Sequence, residues 1–175
     1  MAIYFPNSEL GEVGGETWRI TSSFQGDNNI IGGQSPALTN WEKADDVYGG
    51  GNIPTPILTH SNGQFTFGAD YYGWYLVNFQ IYMYHNDNNR YGEMALYVSW
   101  NSGANWDIHA YATASTSPNT SENYNQCASG SSMVNATSAT RLRFGVDNRA
   151  GAAYVYGSTN ATGTGFSIIR IADSP

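Results

Sequence analysis

The chain reads as an all-β sandwich, and three features of its 175 residues say so. Apolar residues recur at every second position over short runs, not at helical spacing. Clusters of Asn, Asp, Ser and Gly punctuate those runs. The composition is poor in helix formers and rich in aromatics, with 13 Tyr and 5 Trp, while only 12% of residues are charged. This length holds one substantial core and asks for no second domain.

The clearest element lies within "NGQFTFGADYYGWYLVNFQIYMYH", residues 62 to 85, where nine aromatics fall between Phe65 and Tyr84. From Trp74 onward Tyr75, Val77, Phe79, Ile81 and Met83 share one face, which is core. Trp74, Leu76, Asn78, Gln80, Tyr82 and Tyr84 share the other. That second face is neither the charged face of a solvated strand nor the aliphatic face of a strand packed under helices. A surface rich in Tyr and amides and poor in Lys and Glu suits contact with another protein. The expectation is a strand buried on both faces, with Leu76, Asn78, Gln80, Tyr82 and Tyr84 between subunits. Later runs repeat the period. "EMALYVSW" sets Met94, Leu96 and Val98 against Tyr97, and "DIHAYAT" follows the turn "NSGAN". "TRLRFGV" groups Leu142, Phe144 and Val146, and "GFSIIRI" is apolar on both faces.

"NGQFTF", the Gly-x-Tyr of Gly73 to Tyr75, "CASGSSMV" and the closing "GTGFSIIRI" occur in the order found in the globular head of complement subcomponent q. The chain resembles that head and its tumour-necrosis-factor-like superfamily over roughly Glu16 to Ala172. The resemblance implies a ten-strand jelly roll that forms a homotrimer, with aromatic contacts from the inner sheet around the three-fold axis. It adds Phe166 and Ile168, on the last strand, to the expected trimer interface. The front of the chain, "ETWRITSSFQGDNNIIGG", "NWEKADD" and "GGGNI", resembles the first strands of bacteriophage structural proteins of this superfamily, notably those of marine cyanophages. The loop "GADYYG" is longer than the complement-type spacing, which leaves the register before Gly73 open.

Charge excludes several partners. A net charge of -7 with seven Lys and Arg leaves no basic stripe for nucleic acid or an anionic membrane. The apolar runs are too short to span a bilayer, and "MAIYFPNSEL" has neither the basic nor the apolar region of a signal peptide. The single cysteine, Cys127, allows no internal disulfide and is expected to be buried as a small hydrophobe. His60, His85 and His109 are not at metal-ligand spacing with one another or with Cys127. "GQSPA", Gly33 to Ala37, has Pro36 directly after its Ser and lacks the strand-turn-helix setting of a nucleophile elbow. Ca²⁺ is the one cofactor left open: Asp27 with Asn28 and Asn29, Asp45 with Asp46, and "HNDNN" from His85 carry suitable oxygens, and complement-type heads hold axial calcium. The spacing matches no EF-hand, however, so no metal ligands are assigned. Sequons at Asn119, Asn135 and Asn160 are no more than the Asn, Ser and Thr content yields by chance.

Without a nucleophile, base and orienting acid in one pattern, the chain is expected to be no enzyme. Tyr91, Trp106 and Tyr124 are the loop aromatics expected to meet a receptor or a sugar ring. Residues 1–15, with Gly11, Gly14 and Gly15, precede the first strand signal and read as an attachment arm; residues 16–175 form the jelly roll. Together these point to a trimeric phage virion structural protein: a fibre, knob or capsid decoration, held to other virion proteins by the arm and touching a host glycan or receptor. The alternative is a secreted bacterial lectin or carbohydrate-binding module.

Overall fold

The computed structural model describes residues 15–25, 38–44, 56–85, 91–115, 124–148 and 154–173. Twelve strand segments form: β1 (Gly15–Ile20), β2 (Ser22–Gln25), β3 (Trp41–Lys43), β4 (Leu58–Ser61), β5 (Gln64–Phe67), β6 (Gly73–His85), β7 (Tyr91–Ser99), β8 (Asp107–Ser115), β9 (Tyr124–Ala136), β10 (Arg141–Asn148), β11 (Tyr154–Ser158) and β12 (Gly165–Asp173). They make two antiparallel sheets. The smaller runs β4-β5-β10-β7-β8, and the larger runs β2-β11-β6-β12-β1-β3 with β9 also on β6.

The twelve segments reduce to ten lines of strand. β9 covers one edge of β6 from Gly73↔Ala136 to His85↔Tyr124. The other edge is therefore shared end to end by β12, from Gly165↔Gln80 to Asp173↔Gly73, and β11, at Tyr154↔Tyr84 and Val155↔Met83. The gap between them falls at Tyr82, whose N–H donates to Thr164 Oγ1 at 3.0 Å and whose carbonyl accepts from the same hydroxyl at 3.3 Å. β1 and β2 are likewise one line broken at Thr21, where the N–H donates to Asn40 O at 2.9 Å.

Local chemistry fixes the hairpin before β6. Ser61 pairs with Gln64, and the two residues between them, Asn62 and Gly63, have φ of 48° and 76°. That is the left-handed pair a two-residue hairpin needs and the reason for "NG". The register left open by "GADYYG" is now settled. A single 3-10 turn, Ala69–Tyr71, takes up the extra length, while Phe65 pairs with His60 and Leu142. At φ 153° Gly73 then starts β6, and a Cβ there would collide with the Ala172 carbonyl.

The core fills the space between the sheets. Tyr75, Val77, Phe79, Ile81 and Met83 are all buried, as their period predicts. Trp41, Phe65, Phe144 and Phe166 converge from four strands; Phe65 meets Phe166 edge-on at 4.8 Å, and Phe144 stacks on Phe166 at 4.4 Å. Deleting such a ring costs about 3–5 kcal/mol. The Tyr75 hydroxyl donates to Tyr71 O at 2.7 Å, and burial pushes its pKa up to about 12.

Two expectations are corrected here. Phe166 and Ile168 are 2% and 0% exposed, so they belong to the subunit core and not to an interface. Their partners explain it: Phe166 lies opposite Phe79 and Ile168 opposite Val77, both core-facing, and paired residues share a face. Cys127 is exposed, because it lies opposite Tyr82 on the outward side of the edge strand β9.

Candidate functional site

The outward side of the larger sheet is the surface that its sequence least resembles a solvated one. β6, β9 and β11 contain no Asp, Glu, Lys or Arg. Register sets the outward residues in rows: Met133, Leu76 and Ile169; then Ser131, Asn78, Ser167 and Thr17; then Ser129, Gln80, Gly165 and, at the margin, Arg19. Cys127 and Tyr82 form the next row, where the Tyr82 ring meets Tyr156 edge-on at 5.4 Å. One end is thus aliphatic, the middle is amide and hydroxyl, and the other end is tyrosine. Met133 is 51% exposed, and Ile169, Ile171, Tyr154 and Tyr156 are exposed as well. Exposed apolar side chains thus lie at both ends of a surface whose middle is uncharged and polar.

Leu76, Asn78, Gln80 and Tyr82 lie on this face, as expected, and each is half-buried within the subunit itself. Gln80 Nε2 donates to Thr162 O at 3.0 Å and to Gly163 O at 2.9 Å, pinning the connection from β11 to β12 against the face. Beside it runs an open groove of about 790 Å³, lined by Ser23, Gln80, Tyr82, Asn125, Cys127, Tyr154, Tyr156, Ala161, Thr162 and Gly163. Tyr84 pairs through its backbone with Asn125 and Tyr154, and its side chain lies outside the described residues. Sequence reasoning missed Met133, Ile169, Ile171, Tyr154 and Tyr156. The alternation in "YVYGS" carries a signal for the last two, while the others need the register.

Charge is confined to the margins of the sheet. Arg19 Nε donates to Glu42 Oε1 at 2.8 Å, and Arg170 pairs with Asp173 at 2.7 Å while donating to Tyr72 O. Glu16 is buried on the core side of β1. Its carboxylate accepts from Ile57 N at 2.7 Å, Leu58 N at 3.1 Å and Trp18 Nε1 at 3.1 Å, and pairs with Lys43 Nζ at 3.0 Å. It clasps the larger sheet to the chain entering β4.

The expected loop aromatics separate. One face of Trp106 is taken by the Arg143 guanidinium, which sits 4.4 Å from its centroid and 4.8 Å from that of Tyr97. Burial lowers the Arg143 pKa, and the stack also hides Tyr97, expected on the opposite side from the core yet buried. Trp100, in the same loop, is the exposed one. Tyr91 and Tyr124 open β7 and β9, and their side chains lie outside the described residues, as do Asp27, Asp45, Asp46, Asn86 to Asn89, "GQSPA" and residues 1–14 of the expected arm. Among the described residues no three His, Cys, Asp or Glu come together as a metal site. His109 Nδ1 lies 2.8 Å from Ser132 Oγ, and its ring meets Trp100 at 5.8 Å; no carboxylate joins the pair among the described residues.

No family model matches the chain, and no curated protein sequence does. Solved structures do. The Eiger TNF from S. frugiperda is similar at a TM-score of 0.66 and 15% identity, over 92% of this chain and 94% of that one. Murine APRIL, solved at pH 5.0, is similar at a TM-score of 0.57 and 8% identity, over 90% of this chain and 98% of that one. At such identities the likeness speaks for architecture: the fold is a TNF-like jelly roll.

Proposed function

We propose that this chain is a non-catalytic structural protein of a phage virion, assembled as a homotrimer through the uncharged face of its larger sheet. The observation that supports it most is that face itself: three strands without a charged residue, and five exposed large apolar side chains on or beside them. A monomer would leave this area in water at a cost of about 25 cal/mol per Å² of apolar surface. A TNF-like fold and the resemblance of the first strands to phage structural proteins supply the setting. On the particle the trimer serves as a fibre, knob or capsid decoration, with residues 1–15 holding it to another virion protein and its loops turned to the host surface. Three arms on one trimer would bind by avidity, so each contact can be modest.

Labelled antibody against the protein, applied to purified particles and followed by cryo-electron microscopy, tests this. Three-fold density at the labelled position is expected. Its absence from every particle class would remove the virion reading. The alternative, a carbohydrate-binding module, draws on the tyrosine-lined groove; a monomer that binds neutral glycans would favour it.

A further inference from the structure

We infer that Arg141 and Arg143, on the outward side of the smaller sheet beside Trp106, form a binding site for a carboxylate-bearing sugar. This names a ligand class for the host contact proposed above, and it rests on that reading for where such a sugar would be met. The first observation is how the basic side chains are paired. Five occur among the described residues. Arg19, Lys43 and Arg170 each hold a carboxylate, those of Glu42, Glu16 and Asp173. Arg141 and Arg143 hold none among the described residues, although the chain carries 14 Asp and Glu against seven Lys and Arg. Asp107, next to Trp106 in sequence, pairs with neither of them.

Register puts these two arginines together. They are two apart on β10, so their side chains leave the same side of the sheet; Arg141 lies opposite Ser99 and Thr66, and Arg143 opposite Tyr97. The nearest acidic row, Glu93 opposite Asp147, comes two rows after Tyr97 and Arg143, beyond Ala95 and Gly145. That is about 13 Å along the strands.

Both guanidiniums are also held in place. Arg141 Nη1 donates to Ser138 O and to Thr140 O, each at 2.8 Å. That turn is fixed in its own right, because Thr140 Oγ1 accepts from Thr137 N at 3.0 Å and donates to Asn135 O at 3.0 Å. Arg143 lies against the rings of Tyr97 and Trp106. The loop carrying Trp106 is ordered by Ser99, whose hydroxyl accepts from Gly103 N at 2.8 Å, and Ser102 N joins it to the other turn by donating to Ala139 O at 2.8 Å. Ring stacking occupies the face of the Arg143 guanidinium and leaves its N–H edge, which donates to no described residue. A ligand therefore meets donors that the fold has already ordered.

The neighbours indicate the ligand. A guanidinium edge matches a carboxylate through two parallel hydrogen bonds. Trp106 is half-buried beside it, an amphipathic ring suited to the C–H face of a sugar. Gln64 and Thr66 of β5 add an amide and a hydroxyl for sugar hydroxyls, and Gln64 Oε1 lies 3.2 Å from where a Gly103 Cβ would be. Two arginines in a chain of net charge -7 suit single carboxylates; a densely charged sulfate or phosphate polymer needs the basic stripe that is missing.

Isothermal titration of the full chain with a hexuronic acid trisaccharide, and with the same trisaccharide after reduction of its carboxyls to alcohols, tests this. The acidic form is expected to bind at least about tenfold more tightly than the neutral one, and more weakly as salt rises. Arg141→Gln and Arg143→Lys should each weaken binding about tenfold or more, the second because an ammonium keeps the charge and loses the fork. Thermal melts check folding, and if one variant melts early the other decides. Equal binding of the two trisaccharides, equal binding of a glutamate-rich peptide, or affinity unchanged in the folded variants would overturn the inference. A chain that forms trimers on the particle yet does not bind the acidic trisaccharide would overturn this inference alone. A chain that binds it and is absent from particles would overturn the virion reading and leave the site standing.

Discussion

Replacing Glu16 by Leu should cost about 3–5 kcal/mol of stability, and the structure shows why. The carboxylate accepts from two buried backbone N–H groups, those of Ile57 and Leu58, and from the Trp18 indole, at 2.7, 3.1 and 3.1 Å. A leucine fills similar volume but accepts nothing. Each buried donor left without a partner costs about 1–3 kcal/mol, and the three share one site, so their sum is taken toward the lower end. Lys43 contributes little, because its side chain is 36% exposed and water can replace the pair. With a urea slope of about 2 kcal/mol per M, the unfolding midpoint should fall by roughly 2 M. Glu16→Gln keeps one acceptor oxygen and should lose about half as much. A Leu variant whose midpoint stays within about 0.3 M of the parent would refute the clasp. The two sheets would then be held at this end by apolar contact alone.

Tyr82→Glu should place a carboxylate within the proposed interface and weaken self-association by about a hundredfold or more, measured as mass against concentration. Arg143→Ala removes the guanidinium from between Tyr97 and Trp106 and should cost about 1–2 kcal/mol by urea unfolding, with a changed near-ultraviolet tryptophan signal; an unchanged midpoint and spectrum would show that the stack is ornamental to stability. Burial holds the His60 pKa below its ordinary 6.5, and its Nε2 accepts from Gly63 N at 3.1 Å, so the hairpin uses the neutral ring. Stability tied to that ring is complete above 6.5 and is lost as pH falls from there through the lower folded value. His60→Gln should flatten that part of the pH profile of the urea midpoint, and an identical profile in both proteins would reject the assignment.

How much of this was legible depended on whether a strand's two faces differ. On β6 they do: Val77, Phe79 and Ile81 alternate with Asn78 and Gln80, and period alone identified both the core and the candidate face. On β12 they do not. Phe166 and Ile168 on one side and Ile169 on the other are equally apolar, and only the pairing with β6 shows which side is inward. An irregularity between Arg170 and Ala172 then shifts the register again, which a period of two cannot anticipate. Trp100 and Trp106 share a loop, and what distinguishes them is Arg143, from a strand far along the chain. Glu16 looked like any strand carboxylate because its acceptors' partners lie 41 and 42 residues away. Cys127 was misjudged for a related reason: it lies opposite Tyr82 on the outward side of β9, whereas Val134 of the same strand lies opposite Tyr75 and is buried.

If the uncharged face is the subunit interface proposed above, the molar mass of the unaltered chain in dilute solution will show it. Light scattering behind size-exclusion chromatography, at micromolar concentration, should report three times the 19.0 kDa chain mass, unchanged on moderate dilution and in high salt because no ions hold the contact. A mass of one chain under those conditions would mean that the face is not a subunit interface.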